Sequence, residues 1–169
     1  METLDTIFTR RSIRKYTDRV VPDELLTDLL KAAMAAPSAG NEQAWQFIVI
    51  RDRAILDAIP KFHPYAAMLK YASVAILVCG DLTLEKHKGY WVQDCSAATQ
   101  NLLLAAAATG LGAVWTGVYP MEDRVAGMRK LLILPEHIVP LSLVPIGYPA
   151  EHPGRSERFD QSRIHRDHW

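Results

Sequence analysis

The sequence lacks a charge of either sign to spare. Nineteen Lys and Arg are matched by nineteen Asp and Glu, so the chain is neutral at pH 7 with His uncharged. A general nucleic-acid binder draws its affinity from a basic surplus, and this balance argues against that class. Cysteine is scarce: Cys79 and Cys95 are the only two. Neither belongs to a CxxC or to a Cys/His pair at ligand spacing, so a zinc site is not expected. Both lie in apolar stretches, as buried free thiols do in a reducing compartment. No apolar run reaches the roughly 18–20 residues that span a bilayer, and METLDTIFTR has no apolar segment of a secretion signal. HExxH, a nucleophile elbow and a Walker lysine loop are missing too, which leaves no hydrolytic apparatus. Together the absences predict a soluble, cytoplasmic protein with no resident metal.

What is present suits a compact fold. A chain of 169 residues is most simply one domain and can bury roughly 70% of its unfolded surface. Leu4, Ile7 and Phe8 predict a short amphipathic helix over 3–9. Residues 20–38 read as a second helix, with Pro22, Asp23 and Glu24 in its first turn and Pro37 as its stop. Leu25, Leu26, Leu29, Leu30, Ala33 and Met34 would form its buried face. QFIVI (46–50) reads as an internal strand, since nothing polar alternates after Gln46. Two short helices over 52–60 and 64–72 precede a second buried strand over 74–81. A polar loop over 82–90 could cover a site. The longest helix spans 91–109, and its apolar run 102–108 requires cover on every side, from a central position or from a second chain. A third strand (VWTGVY, 114–119), a helix over 121–132 and a fourth strand over 138–148 follow. Pro140 and Pro145 mark that last strand for an edge or a bulge. The order is that of an α+β fold.

Four constellations could carry chemistry. Arg10, Arg11, Ser12 and Arg14 crowd guanidinium groups around one hydroxyl, which suits a phosphate. Taken alone they read more simply as a solvated basic face or as scattered salt bridges to Glu2, Asp5 and Asp18. In PSAGNEQAW (37–45), Ser38, Asn41 and Gln43 could read a heterocycle's donor and acceptor edge, with Trp45 as a flat wall. Ordinary turn chemistry accounts for much of the same loop. GLGAVWTG (110–117) only superficially resembles a dinucleotide fingerprint: a helix precedes it, a strand follows it, and Trp115 stands where the third glycine would be. Its glycines nevertheless permit close approach to the main chain at Thr116 and Gly117, and Gly110 suits a helix C-cap. In the polar tail, Arg155 and Arg158 add cations. Asp94 reads as a surface or capping carboxylate.

RRSIR (10–14), PSAGNEQAW (37–45), DCSAATQNLLLAAAATGLGAVWTG (94–117) and the YP turn with its arginine tail occur in an order that resembles the short form of the nitroreductase family. The resemblance implies an α+β fold with a mixed, mainly antiparallel central sheet flanked by helices, in an intertwined homodimer. Residues 1–169 would be a single FMN-binding domain, with 149–169 an extended C-terminal arm. It also implies FMN held at the subunit interface and NAD(P)H as electron donor. Arg10, Arg11, Ser12 and Arg14, with Arg155 or Arg158, would hold the phosphate. Pro37, Ser38 and Ala39 would approach the flavin from the second subunit, and Asn41 and Gln43 would contact the ribityl chain or ring edge. Trp115 and the backbone of Thr116 and Gly117 would lie near N5. The implied activity is ping-pong hydride transfer to nitroaromatics, quinones or other electron-poor acceptors. Dehalogenation, oxidative flavin chemistry and a non-catalytic flavin-binding module are the alternatives. Tyr65, Tyr90 and Trp91 could line the acceptor pocket or simply pack.

Overall fold

The computed structural model describes residues 2–169. Five α-helices, α1 (Thr3–Thr9), α2 (Asp23–Met34), α3 (Arg53–Ala58), α4 (Trp91–Ala108) and α5 (Glu122–Leu132), enclose one sheet. Its strands are β1 (Trp45–Ile50), β2 (Val74–Asp81), β3 (Gly112–Ala113), β4 (Thr116–Gly117) and β5 (Ile138–Gly147). The order is β1-β2-β5-β3, with β4 also on β5, and all four strand pairings are antiparallel. A parallel bridge joins Ser12 to Ala113.

β2 explains the layering. Every residue from Val74 to Asp81 is buried, because successive side chains point to opposite faces and both faces are covered. Val74, Ile76 and Val78 pack with Leu29, Leu102 and Ala106 of α2 and α4. Ala75, Leu77 and Cys79 pack with Leu56, Leu69 and Met128 on the α3 and α5 side. Each fully buried Leu or Ile contributes about 1.5–3 kcal/mol relative to exposure, so these two clusters hold the sheet between helical layers.

Several expectations are corrected. β1 is an edge strand that pairs with β2 alone; its apolar run reflects half-buried faces at Phe47 and Ile48, with Gln46 and Val49 exposed. The second helix is shorter than 20–38. Leu26, Leu29 and Ala33 are buried at helical spacing, whereas Met34 is exposed where the last turn leaves the core. α1 buries only Thr6; Leu4, Ile7 and Phe8 face outward. The third strand is split into two-residue pieces, β3 and β4. β5 lies inside the sheet despite its prolines. The ladder skips a residue at Leu141, with Val78 opposite Ser142 and Cys79 opposite Pro140, and that bulge accommodates Pro140, which has no N–H to donate.

The chain's two ends meet. Thr17 N donates to Tyr148 O and Ala150 N to Lys15 O, both at 2.9 Å. Residues 152–169 are exposed throughout, with one 3₁₀ turn at Gln161–Arg163.

Candidate functional site: an arginine cleft and an aromatic cavity

The RRSIR segment is fixed by β3. Ile13 N donates to Ala113 O at 3.0 Å, and a Cβ on Gly112 would lie 2.6 Å from the Ile13 side chain. Only glycine lets the segment approach β3 this closely. Ser12 and Ile13 therefore sit on β3, with the arginines fanning out to either side.

Arg10, Arg11, Arg155 and Arg158 line one cleft of about 630 Å³, with Phe8, Glu157 and Phe159. Among the described residues no ion pair involves any of these arginines, so the scattered salt bridges to Glu2, Asp5 and Asp18 do not form. Arg11 is partly committed. Its Nε donates to Gly154 O at 2.8 Å, and its Nη1 to Phe8 O and Arg10 O at 3.3 and 2.7 Å. Its Nη2 is buried with no partner among the described residues. Burial, then the charges of Arg158 and Arg11, push the Arg10 pKa below the ordinary arginine value. Four guanidinium groups gathered around one carboxylate, Glu157, with which none of them forms an ion pair, make a site short of an anion.

Arg14 belongs to a different cavity. Its backbone N–H donates to the Glu151 carboxylate at 2.6 Å. Its residue lines a space of about 410 Å³ with Tyr65, Met68, Trp115, Thr116 and Gly117. Thr116 donates its hydroxyl to Leu143 O at 2.8 Å, which anchors this wall on β5. A Cβ on Gly117 would meet nothing within 4 Å, so the main chain there lies open to a ligand. Of the three aromatics, Tyr65 lines this cavity, Trp91 packs in the core against Gly80, and Tyr90 is exposed beside His87.

The 37–45 loop lines neither cavity. Gly40, Asn41 and Gln43 are left-handed, with φ of 54°, 52° and 50°, a conformation that costs non-glycine residues energy and clusters at functional loops. Gln43 is exposed and donates to Asn41 Oδ1 at 2.9 Å; Ser38 Oγ accepts from Gln43 N at 3.1 Å. Trp45 is core rather than a ligand wall.

The buried acids of this region were not expected. Glu42 and Asp94 are 6% and 3% exposed. Asp94 Oδ1 accepts from Ala39 N at 2.9 Å. Glu42 Oε2 accepts from Lys86 N and His87 N at 2.7 and 3.0 Å. The remaining oxygens, Glu42 Oε1 and Asp94 Oδ2, are buried and can meet only by sharing a proton. Burial, then Glu42 and Glu85, raise the Asp94 pKa against the opposing Ala39 N–H. Burial disfavours ionised Glu42, but the His87 and Lys86 amides with Asp94 outweigh it and hold its pKa below the ordinary value. The pair clasps the 37–45 loop to the 82–90 loop. One charged residue amid WVQDCSAA was the available signal.

The sequence pattern of the nitroreductase family matches residues 7–73 and 60–148. The chain belongs to the nitroreductase family. A Methanothermobacter thermautotrophicus protein provisionally named NADH dehydrogenase/NAD(P)H nitroreductase is 60% identical over 169 residues, covering 100% of this chain and 88% of its own. A crystal structure with the same provisional name, from Parabacteroides distasonis, superposes with a TM-score of 0.96 at 47% identity, covering 99% of this chain and 98% of that one. A provisionally assigned nitroreductase from Desulfovibrio desulfuricans, solved in complex with FMN, gives 0.87 at 33% identity, covering 100% and 98%. The α+β nitroreductase fold and the oxidoreductase class thus agree with the order of motifs read along the chain. No helix among the described residues is long and apolar enough to cross a membrane.

Proposed function

We propose that the protein is an FMN-dependent oxidoreductase that takes reducing equivalents from NAD(P)H and delivers them to nitroaromatic, quinone or similar electron-poor acceptors. The observation that carries this reading is the unpaired arginine cleft beside an aromatic cavity with one glycine open to it. The residues fit the cofactor at both ends. Arg10, Arg11 and Arg155 or Arg158 would hold a phosphate, and the unpartnered Arg11 Nη2 is a donor waiting for an acceptor. Ser12, between Arg11 and Arg14 in the chain, would add a hydroxyl donor. Arg14, with Tyr65, Trp115, Thr116 and Gly117, would receive the planar ring, its guanidinium supplying positive charge where reduction leaves negative charge.

When bound, FMN would supply two-electron transfer chemistry at N5. The chain's part is to bind, orient and neutralise; no side chain need donate or remove a proton where water can.

A second copy would complete the site. Pro37, Ser38, Ala39, Asn41 and Gln43 lie outside both cavities of their own chain and would reach the flavin of the partner. The groove lined by Thr6, Ala32, Ala35, Leu104, Ala105 and Ala108 and the exposed Leu4, Ile7 and Phe8 offer an apolar face for that copy. Its cover would also answer the apolar run of α4. The compartment we propose is the cytoplasm, where NAD(P)H is available and Cys79 and Cys95 stay free.

The test is flavin titration of the purified apoprotein, followed by anaerobic addition of NADH or NADPH. Tight binding and bleaching of the flavin band support the proposal. The doublet Arg10→Ala and Arg158→Ala should weaken FMN binding about 100-fold or more, since each arginine would lose a charge-assisted bond to phosphate. FMN affinity unchanged by that doublet would refute the phosphate assignment. Flavin that binds but is reduced by neither nicotinamide would leave a binding module instead.

A further inference from the structure

Behind the aromatic cavity lies a histidine with no role in the reading above. His63 is completely buried. Its main chain is satisfied: His63 N donates to Ile59 O at 3.0 Å and His63 O accepts from Ala66 N at 3.1 Å. Its ring is not: Nδ1 and Nε2 are buried, and neither has a well-formed partner among the described residues. An unmet buried donor or acceptor costs about 1–3 kcal/mol, so two on one side chain call for an explanation.

The surroundings supply one. The groups facing the ring are the Arg124 guanidinium, the Asp123 carboxylate and the carbonyls of Gly117 and of His63 itself. Arg124 Nη1 donates to Gly117 O at 2.9 Å, its guanidinium carbon lies 5.2 Å from the Tyr65 ring centroid, and its Nε is buried without a partner. α5 carries Arg124 and is fixed close to this loop, because a Cβ on Gly127 would lie 2.3 Å from the Phe62 ring. The next residues, Pro64 and Tyr65, are cavity wall. Arg124 thus holds the carbonyl of the cavity's open glycine, and the unpartnered His63 ring lies close enough to feel that same carbonyl.

The direction of that carbonyl is set by the place of Gly117 in β4. Val118 N donates to Leu141 O at 3.0 Å, and Gly117 opposes Ser142. In an antiparallel ladder the hydrogen-bonded pairs alternate, so both the N–H and the C=O of Gly117 turn away from β5. Fixing the C=O fixes the N–H beside it.

We propose that His63 is a positioning residue for the ring end of the cofactor site: as a neutral imidazole it shares the Gly117 carbonyl with Arg124 and so sets the Gly117 N–H at the cavity. The proposal rests on the flavin reading of that cavity. Neutrality follows from the setting, since burial and then the Arg124 charge push the His63 pKa below the ordinary histidine value. A second cation beside Arg124 would drive the two side chains apart. Neutral imidazole keeps one N–H donor for the carbonyl.

Imidazole NMR of the full chain, which has six histidines, reads this directly, with His63→Leu identifying the resonance. In the wild type His63 should be neutral and in one tautomer at neutral pH, and adding FMN should move its ring nitrogens. His63→Leu should lose FMN affinity by about tenfold, the worth of one hydrogen bond to a placed polar group. His63→Asn or His63→Gln, which replace Nδ1 or Nε2 as donor, should restore it to within about threefold. The rescue keeps the test decisive even if the leucine variant folds poorly. A His63 cation at neutral pH, ring nitrogens indifferent to bound FMN, or failure of both amides to restore binding would overturn the inference while leaving the flavin reading intact. Wild-type protein that takes up no FMN would overturn both.

Discussion

Replacing Asp94 by Ala and by Asn separates a shared proton from mere burial. In Asp94→Ala the Ala39 N–H loses its acceptor and Glu42 Oε1 is left buried beside a void. An unmet amide costs about 1–3 kcal/mol, and losing a hydrogen bond to a charged carboxylate about 1.5–3 kcal/mol. The two overlap, so a loss of about 2–4 kcal/mol is expected, or about 4–16 °C in melting temperature at this chain length. Asp94→Asn keeps both bonds, its Oδ1 accepting from Ala39 and its amide donating to Glu42, and should lie within about 1 kcal/mol of wild type near neutral pH. The pH dependence gives the sign. Asp94 is raised in the fold, so native protein holds a proton that the unfolded chain releases. Stability therefore falls as pH climbs from the ordinary aspartate value through the raised one. Glu42 is lowered, so stability also falls as pH drops from the ordinary glutamate value towards the lowered one. Urea unfolding across pH should show Asp94→Asn losing the alkaline-side decline and keeping the acid-side one. Equal stability of the alanine and asparagine variants, or an unchanged alkaline decline in Asp94→Asn, would refute the shared proton.

Gly117→Ala should leave the melting temperature within about 2 °C, since the added methyl meets nothing in the protein. It should nonetheless weaken FMN binding by about tenfold, because the methyl occupies the ligand's approach; isothermal titration of the folded variant measures this. Gly80→Ala forces a Cβ to within 2.3 Å of the Trp91 ring and should destabilise by about 1–3 kcal/mol in urea unfolding. Tyr16 donates its buried hydroxyl to Ile13 O at 2.6 Å, and burial pushes its pKa well above the ordinary tyrosine value. Alkaline titration by ultraviolet absorbance should therefore leave one of the six tyrosines un-ionised until the protein unfolds, and Tyr16→Phe should remove that late step.

Strong local patterns were legible. Val74–Cys79 is uninterrupted in apolar residues and became most of the central strand. Asp23, Glu24 and the leucine spacing gave α2, and Gly110 adopts a φ of 77° just past the end of α4. Where the sequence misled, long-range partners were responsible. β1 reads as internal because an edge strand with half-covered faces has the same residues as a covered one. Glu42 sits in a polar loop and looks solvated; only the approach of residues 86 and 87 buries it. Asp94 needed the Ala39 amide and a neighbouring acid, neither visible at helical spacing. Arg14 reads as one of a cluster, yet the bridge from Ser12 to Ala113 turns it towards the aromatic cavity. His63 carried no signal, since it falls in the break between the two short helices expected over 52–60 and 64–72.

The division of one expected strand into β3 and β4 sets how firmly the cavity's wall is held. Val114, between them, reaches β5 only through a 3.4 Å bond to Pro145 O. Amide exchange should therefore be quick at Trp115 and Gly117, whose N–H groups turn away from β5, and slow in β2 next door. The wall that would contact a ring is the pliant margin of a stiff slab, able to adjust to flat molecules of differing outline while the slab itself stays still.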